Sequence, residues 1–232
     1  MPVNHVDVVL VHGAWADGSS WSKVVGPLKA AGLTVVAASL PLSSLADDIA
    51  AVDRMLDRLD GPVVLAGHAY GGAVTGGVRD PKVASLVYIA ALAPENGETV
   101  SDVLHHSEPH PLAPELKPDS HGLVWLPEAA FADAFAPNAS PEEQAILAAV
   151  QRPLNVACIG VPVGRPLWKD VPSWVLVAEN DRMINPETQL FQAERMGAHV
   201  RTRPVDHTPM ITASADVVDI ILDAARDVAA AT

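Results

Sequence analysis

Along this chain the spacing of apolar residues switches between two periods. Asp7-Val8-Val9-Leu10-Val11-His12 is short, β-branched and apolar on both faces, the pattern of a strand buried inside a parallel sheet. Trp21, Val24, Val25 and Leu28 then recur at helical spacing, with Ser19 or Ser20 as the expected N-cap, Gly32 as the left-handed stop and Pro27 as an internal obstacle. Residues 33–38 read as a second strand. Ser44, with Asp47 three positions on, opens a helix whose apolar stripe is Leu45, Ile49, Val52, Met55, Leu56 and Leu59 and whose end is Gly61-Pro62. Val63-Val64-Leu65-Ala66-Gly67 and residues 83–90 supply two more strands.

The alternation then stops. Residues 94–170 carry scattered prolines and histidines, short helical stretches at 127–135 and 141–150, and no strand-like run of the earlier quality. This reads as a small helical cap inserted at about 95–170. Regular alternation resumes with Trp174-Val175-Leu176-Val177-Ala178, a helix over 186–196, a strand near 199–205, and a closing helix that buries Val217, Ile220, Ile221 and Val228. Strands and helices in this succession predict an α/β fold: a mostly parallel central sheet with right-handed crossovers and helices on both faces.

Length and composition narrow this picture. The 232 residues, 49% hydrophobic and 19% charged, suit a single globular domain over 1–232 with the cap inside it. A formal net charge of -13 disfavours phosphate backbones and anionic lipid surfaces as partners. Met1 to His5 carry no basic n-region, and no apolar run reaches spanning length, so a soluble cytoplasmic chain is expected. Cys158 is the single cysteine, which excludes an intrachain disulfide and suits a small buried hydrophobe. Without repeats, low-complexity tracts or heptads, the expected state is a monomer or homodimer.

The most specific feature is Gly67-His68-Ala69-Tyr70-Gly71-Gly72, between a buried strand and a small-residue helix start. Taken alone, a Gly-x-x-x-Gly-Gly run is also compatible with a plain tight turn. As a nucleophile elbow it has the two flanking glycines that a strained central residue needs, with helix N-terminal N–H groups beneath that residue. What it lacks is the nucleophile.

Three further segments accompany it: His12-Gly13-Ala14-Trp15 after the first strand, Asn180-Asp181 after the strand that ends near Ala178, and His207 after the last strand. Together the four resemble the α/β-hydrolases, and within them the small esterases of the plant methylesterase and hydroxynitrile lyase branch. The resemblance implies that Ala69 stands where that family has its serine, that His207 is the general base, and that Asp181 orients it. Ala14 and Tyr70 would supply the oxyanion-binding N–H groups. Gly13, Trp15 and His68 would border the substrate, with His12 and His68 packing and hydrogen-bonding rather than reacting. Leu104, Trp125, Phe131 and Met210 either line an apolar acyl pocket or fasten the cap. Glu179 and Asp102 stay open as alternative acids. Plant hydroxynitrile lyases carry threonine where this chain has Gly13 and lysine where it has Thr208, and both departures favour the esterase branch.

His105, His106 and His110 fit no standard metal spacing, so neither a metal nor another cofactor is expected. The implied activity is hydrolysis of a small apolar carboxylic ester or lactone, with no nucleic acid or membrane partner. Alanine at position 69 removes the attacking atom and leaves three readings. They are an inactivating substitution in a serine esterase, a non-hydrolytic enzyme (lyase, cyclase or cofactor-free oxygenase) using His207 and Asp181 as general base, and a ligand-binding pseudoenzyme.

Overall fold

A computed structural model describes residues 6–231; the reading made of Met1 to His5 lies outside them. In chain order the strands are β1 (Asp7–Val11), β2 (Thr34–Ala38), β3 (Val63–His68), β4 (Val83–Ile89), β5 (Leu123–Val124), β6 (Leu154–Asn155), β7 (Ser173–Ala178) and β8 (His199–Arg203). The helices are α1 (Ser22–Ala30), α2 (Leu45–Leu56), α3 (Tyr70–Gly77), α4 (Val100–Leu104), α5 (Glu128–Ala130), α6 (Pro141–Val150), α7 (Pro186–Met196), α8 (Pro209–Thr212) and α9 (Ser214–Ala231). Six strands form one parallel sheet in the order β2-β1-β3-β4-β7-β8. The chain moves outward from β1 to β2 and then crosses back to β3. That reversal opens a crevice at the carboxyl ends of β1 and β3, where ligands bind in open sheets of this kind.

Strand alternation sorts the core onto two faces. Val8, Leu10, Val64, Ala66, Val87 and Ile89 pack with Trp21, Val24 and Leu28 and with Val217, Ile220, Ile221 and Ala224, so α1 and α9 cover one face. Val9, Val11, Val63, Leu65, Leu86 and Tyr88 point the other way, under α2, α3 and α7, and their cluster runs on into residues 100–168.

Several local features differ from the sequence reading. The first helix is preceded by a 3-10 turn, Gly18–Trp21, whose cap is Asp17 rather than either serine: its carboxylate accepts from the Ser19 N–H at 2.7 Å. Pro27 lies within α1 and the helix runs through it. The expected helix at 127–135 is three residues of α-helix followed by a π-helical stretch, Phe131–Phe135. Residues 94–170 also contain the antiparallel pair β5–β6, whose two-residue strands are too short to show any period. Trp15 Nε1 donates to the Val124 carbonyl at 2.9 Å and Lys23 pairs with Glu143 at 2.7 Å, fastening this segment to the β1 side of the sheet. No helix among the described residues is long and apolar enough to cross a membrane.

Candidate active site

Each of the first four strands of the sheet is followed by a non-glycine residue at positive φ: Trp15 (57°), Leu42 (58°), Ala69 (50°) and Ala90 (45°). Such conformations cost on the order of 1–3 kcal/mol apiece and gather where the surroundings over-determine them. Ala69 is the corner itself, with φ 50° and ψ -121°, between the last residue of β3 and the first of α3. The corner closes because side chains are missing around it. A Cβ on Gly67 would lie 2.6 Å from the Gly71 carbonyl oxygen, one on Gly71 2.6 Å from that of Val11, and one on Gly72 2.6 Å from that of Leu92. A Cβ on Gly13 would come within 2.9 Å of the Ala69 Cβ. β1's exit loop thus lies so close to the corner that a side chain at 13 would require the corner to shift.

His207 follows β8 and Asp181 follows β7. Both are buried, and His207 Nδ1 donates to Asp181 Oδ2 at 2.8 Å. The same carboxylate accepts from the N–H groups of Met183 (2.8 Å) and Ile184 (2.9 Å) and from Gln189 Nε2 (2.8 Å). Four donors occupy the lone pairs of this buried carboxyl group, which would be costly to bury without partners. With Nδ1–H committed to Asp181, the other ring nitrogen, Nε2, carries the free lone pair, and His207 lines the cavity described below. Sequence reasoning missed Gln189. Its signal is a run of buried polar residues, Thr188, Gln189 and Gln192, on the inward face of α7.

The two flanking histidines are scaffold. His68 Nε2 donates to the His207 carbonyl at 2.7 Å, with the two rings 4.8 Å apart. Burial first, and then the neighbouring His207 ring, hold its pKa well below the ordinary value, so it stays neutral. His12 Nδ1 donates to the Gly13 carbonyl at 2.8 Å while its Nε2 accepts from the Leu40 N–H at 3.0 Å. Burial brings its pKa from 6.5 down to about 4. Neither the Ala14 nor the Tyr70 backbone N–H makes a hydrogen bond among the described residues, and both residues face the same cavity as Ala69.

That cavity holds about 460 Å³ and is mainly apolar. Trp15 and Leu104 are on its wall, together with Val124, Leu154 and Ile184. The other proposed lining residues are elsewhere. Trp125, directly after β5, turns outward and is 49% exposed, and its neighbour Val124 is on the wall instead. Phe131 is enclosed against Phe135, with ring centroids 5.3 Å apart. Met210 is fully buried in the core cluster on the α1–α9 face of the sheet. Gly13 and His68 sit behind Ala69 rather than on the wall.

The alternative acids are also placed apart. Asp102 is exposed in a capping box with Thr99 at the start of α4, and Glu179 is exposed. His105 donates to the Ser101 carbonyl, His106 stacks on Phe191 and His110 accepts from the Leu112 N–H, so the three do not converge. Among the described residues no group of three or more His, Cys, Asp or Glu side chains is arranged to hold a metal.

A parallel sheet with its sharp strand-to-helix corner after the third strand, and a buried acid and histidine after the last two, is the architecture of the α/β-hydrolases. The chain belongs to the α/β-hydrolase family, whose model it matches over residues 8–220. A carbendazim-hydrolysing esterase of Nocardioides sp. is 35% identical over 126 residues; the match covers 47% of this chain and spans about half of that relative, 49%. Salicylic acid-binding protein 2 of Nicotiana tabacum is 26% identical over 235 residues, 88% of this chain and 90% of that protein. Among solved structures, a pyrethroid hydrolase from Sphingobium faniae JZ-2 has the same fold, with a TM-score of 0.81 at 22% identity over 95% of this chain and 98% of that one.

Proposed function

We propose that this chain is the nucleophile-to-alanine form of a serine-type esterase for a small apolar carboxylic ester or lactone, and that it binds such molecules while turning them over poorly. One observation carries the reading: Ala69, on the strained corner, shares a cavity wall with His207, whose Nδ1 is held by a buried, fully hydrogen-bonded Asp181. In the Ala69→Ser form the new hydroxyl would attack the ester carbonyl while His207 Nε2 takes its proton. Asp181 would stabilise the imidazolium, and the free N–H groups of Ala14 and Tyr70 would hold the developing oxyanion. His207 would then return the proton to the leaving alcohol, and water would release the acid by the reverse sequence. The apolar wall suits the hydrocarbon part of the substrate, and residues 95–170 serve as its cap. The esterase and hydrolase names of the relatives support the ester class.

The test is hydrolysis of short p-nitrophenyl esters by the parent and by Ala69→Ser. Loss of a triad nucleophile costs about a millionfold, so the substitution is expected to raise turnover by at least a hundredfold. A smaller gain would remove the inactivated-esterase reading.

A second reading rests on the completeness of what remains. Asp181, His207 and two unengaged N–H groups can take a proton from a carbon or oxygen acid and stabilise the resulting oxyanion without any covalent intermediate. Turnover by the Ala69 chain that disappears in His207→Ala would establish it. A ligand that raises the melting temperature of both forms, with neither reacting, would favour a binding protein.

A further inference from the structure

Asp48 takes no part in the chemistry above, yet it is fully buried on the first turn of α2. The stripe of that helix would admit an apolar residue there, and a buried carboxylate is unfavourable unless every lone pair is used. Its bonds are specific. Oδ1 accepts from the Leu42 N–H at 2.7 Å, and Oδ2 accepts from the Tyr70 hydroxyl at 2.7 Å and from the Cys158 thiol at 3.7 Å. Burial, then the adjacent Asp48 charge, push the Tyr70 phenol far above its usual range, and burial pushes the Cys158 thiol up to about 12. Both groups therefore stay protonated and donate.

These partners come from three places: the loop after β2, the corner, and the segment between β4 and β7. Leu42 is one of the positive-φ residues, and its carbonyl accepts from the Asn155 N–H of β6 at 3.0 Å. The pairing strand β5 holds Trp15 through the Val124 carbonyl. Tyr70 is the residue next to the strained Ala69, and its backbone N–H is one of the two unengaged donors facing the cavity. Its hydroxyl reaches the buried Asp48.

We propose that Asp48 is a positioning residue: through the Tyr70 hydroxyl it fixes the direction of the Tyr70 backbone N–H toward a bound oxyanion, and through Leu42 and Cys158 it ties that donor to the β6 segment. The inference rests on the proposed role of the Ala14 and Tyr70 N–H groups. A misdirected donor weakens binding of a tetrahedral anion far more than that of a neutral ester of similar size, because charge-assisted hydrogen bonds are about twice as strong as neutral ones and the donors are aimed at the oxyanion rather than at the ground-state carbonyl.

The test compares two probes on the Ala69 chain by NMR titration, the monoanion of methyl butylphosphonate and neutral methyl pentanoate. The parent is expected to prefer the phosphonate. Tyr70→Phe, which keeps the ring and loses the hydroxyl, and Asp48→Leu are each expected to lose roughly tenfold in phosphonate affinity with the ester unchanged within about twofold. Asp48→Asn can keep its amide oxygen on the Leu42 N–H and donate its amide nitrogen to the Tyr70 hydroxyl oxygen, and is expected to recover most of the preference. Retention of the full preference in Tyr70→Phe would overturn the inference, as would equal loss for both probes. Tyr70→Phe decides the matter if a variant at Asp48 does not fold. A parent with no preference for the phosphonate would instead overturn the oxyanion-hole reading, and this inference with it.

Discussion

The residues around position 69 are selected more for what they omit than for what they present. Gly71 has no side chain because the Val11 and His12 carbonyl oxygens would meet a Cβ at 2.6 and 2.7 Å, and neither backbone can retreat from a sheet interior. Gly71→Ala is expected to destabilise the fold by about 3 kcal/mol, read as a lower urea midpoint. Buried histidine gives a second expectation. His12 prefers the neutral form in the folded protein, its pKa moving from 6.5 to about 4, so its contribution is complete above the unfolded value. It is lost as pH falls from there toward the folded value, amounting to roughly 3 kcal/mol; His68 is shifted in the same direction. Urea midpoints at several pH values should fall less steeply below neutrality for His12→Gln than for the parent, and parallel curves would contradict this. Ala69, His207 and Asp181 could be named as candidates from the sequence because the family resemblance singles them out and each sits in a short segment following a recognisable strand. Asp48 and Gln189 were not, since a polar residue on a helix reveals its partner only once distant chain has packed against it.

At the scale of elements, α7 shows how a helix can serve the site without touching the cavity. Gln189 binds the Ala178 N–H at the end of β7 with its oxygen, and Asp181 and the Ile184 carbonyl with its amide nitrogen. Gln189→Leu keeps the volume but leaves those groups without partners, so a loss of about 2 kcal/mol in stability is expected. In the Ala69→Ser background kcat should fall while KM changes little, because Asp181 loses a restraint and the apolar wall does not. A change confined to KM would argue against the assignment. The strands and long helices were readable because apolar periodicity persists over five or more residues. Periodicity could not show that Met210 packs in the cluster of α1 and α9 and Phe131 against Phe135, since the sequence marks both as buried without saying on which side of the sheet. The strands β5 and β6 fall below the length at which any period exists.

Over the whole molecule, a net charge of -13 makes long-range repulsion a term in stability. The melting temperature should rise between low salt and physiological salt as the Debye length falls from roughly 30 to 8 Å; a fall would mean that the surface ion pairs outweigh the repulsion. The site is also a property of the whole chain, because the ends of three strands, β3, β7 and β8, must deliver residues 69, 181 and 207 to one place. Intact-mass analysis after treatment with an alkyl fluorophosphonate tests that convergence most directly. One stoichiometric adduct, mapping to position 69, is expected in Ala69→Ser, none in the parent, and none in Ala69→Ser combined with His207→Ala. An unlabelled Ala69→Ser protein that is folded, or labelling that persists without His207, would contradict that convergence.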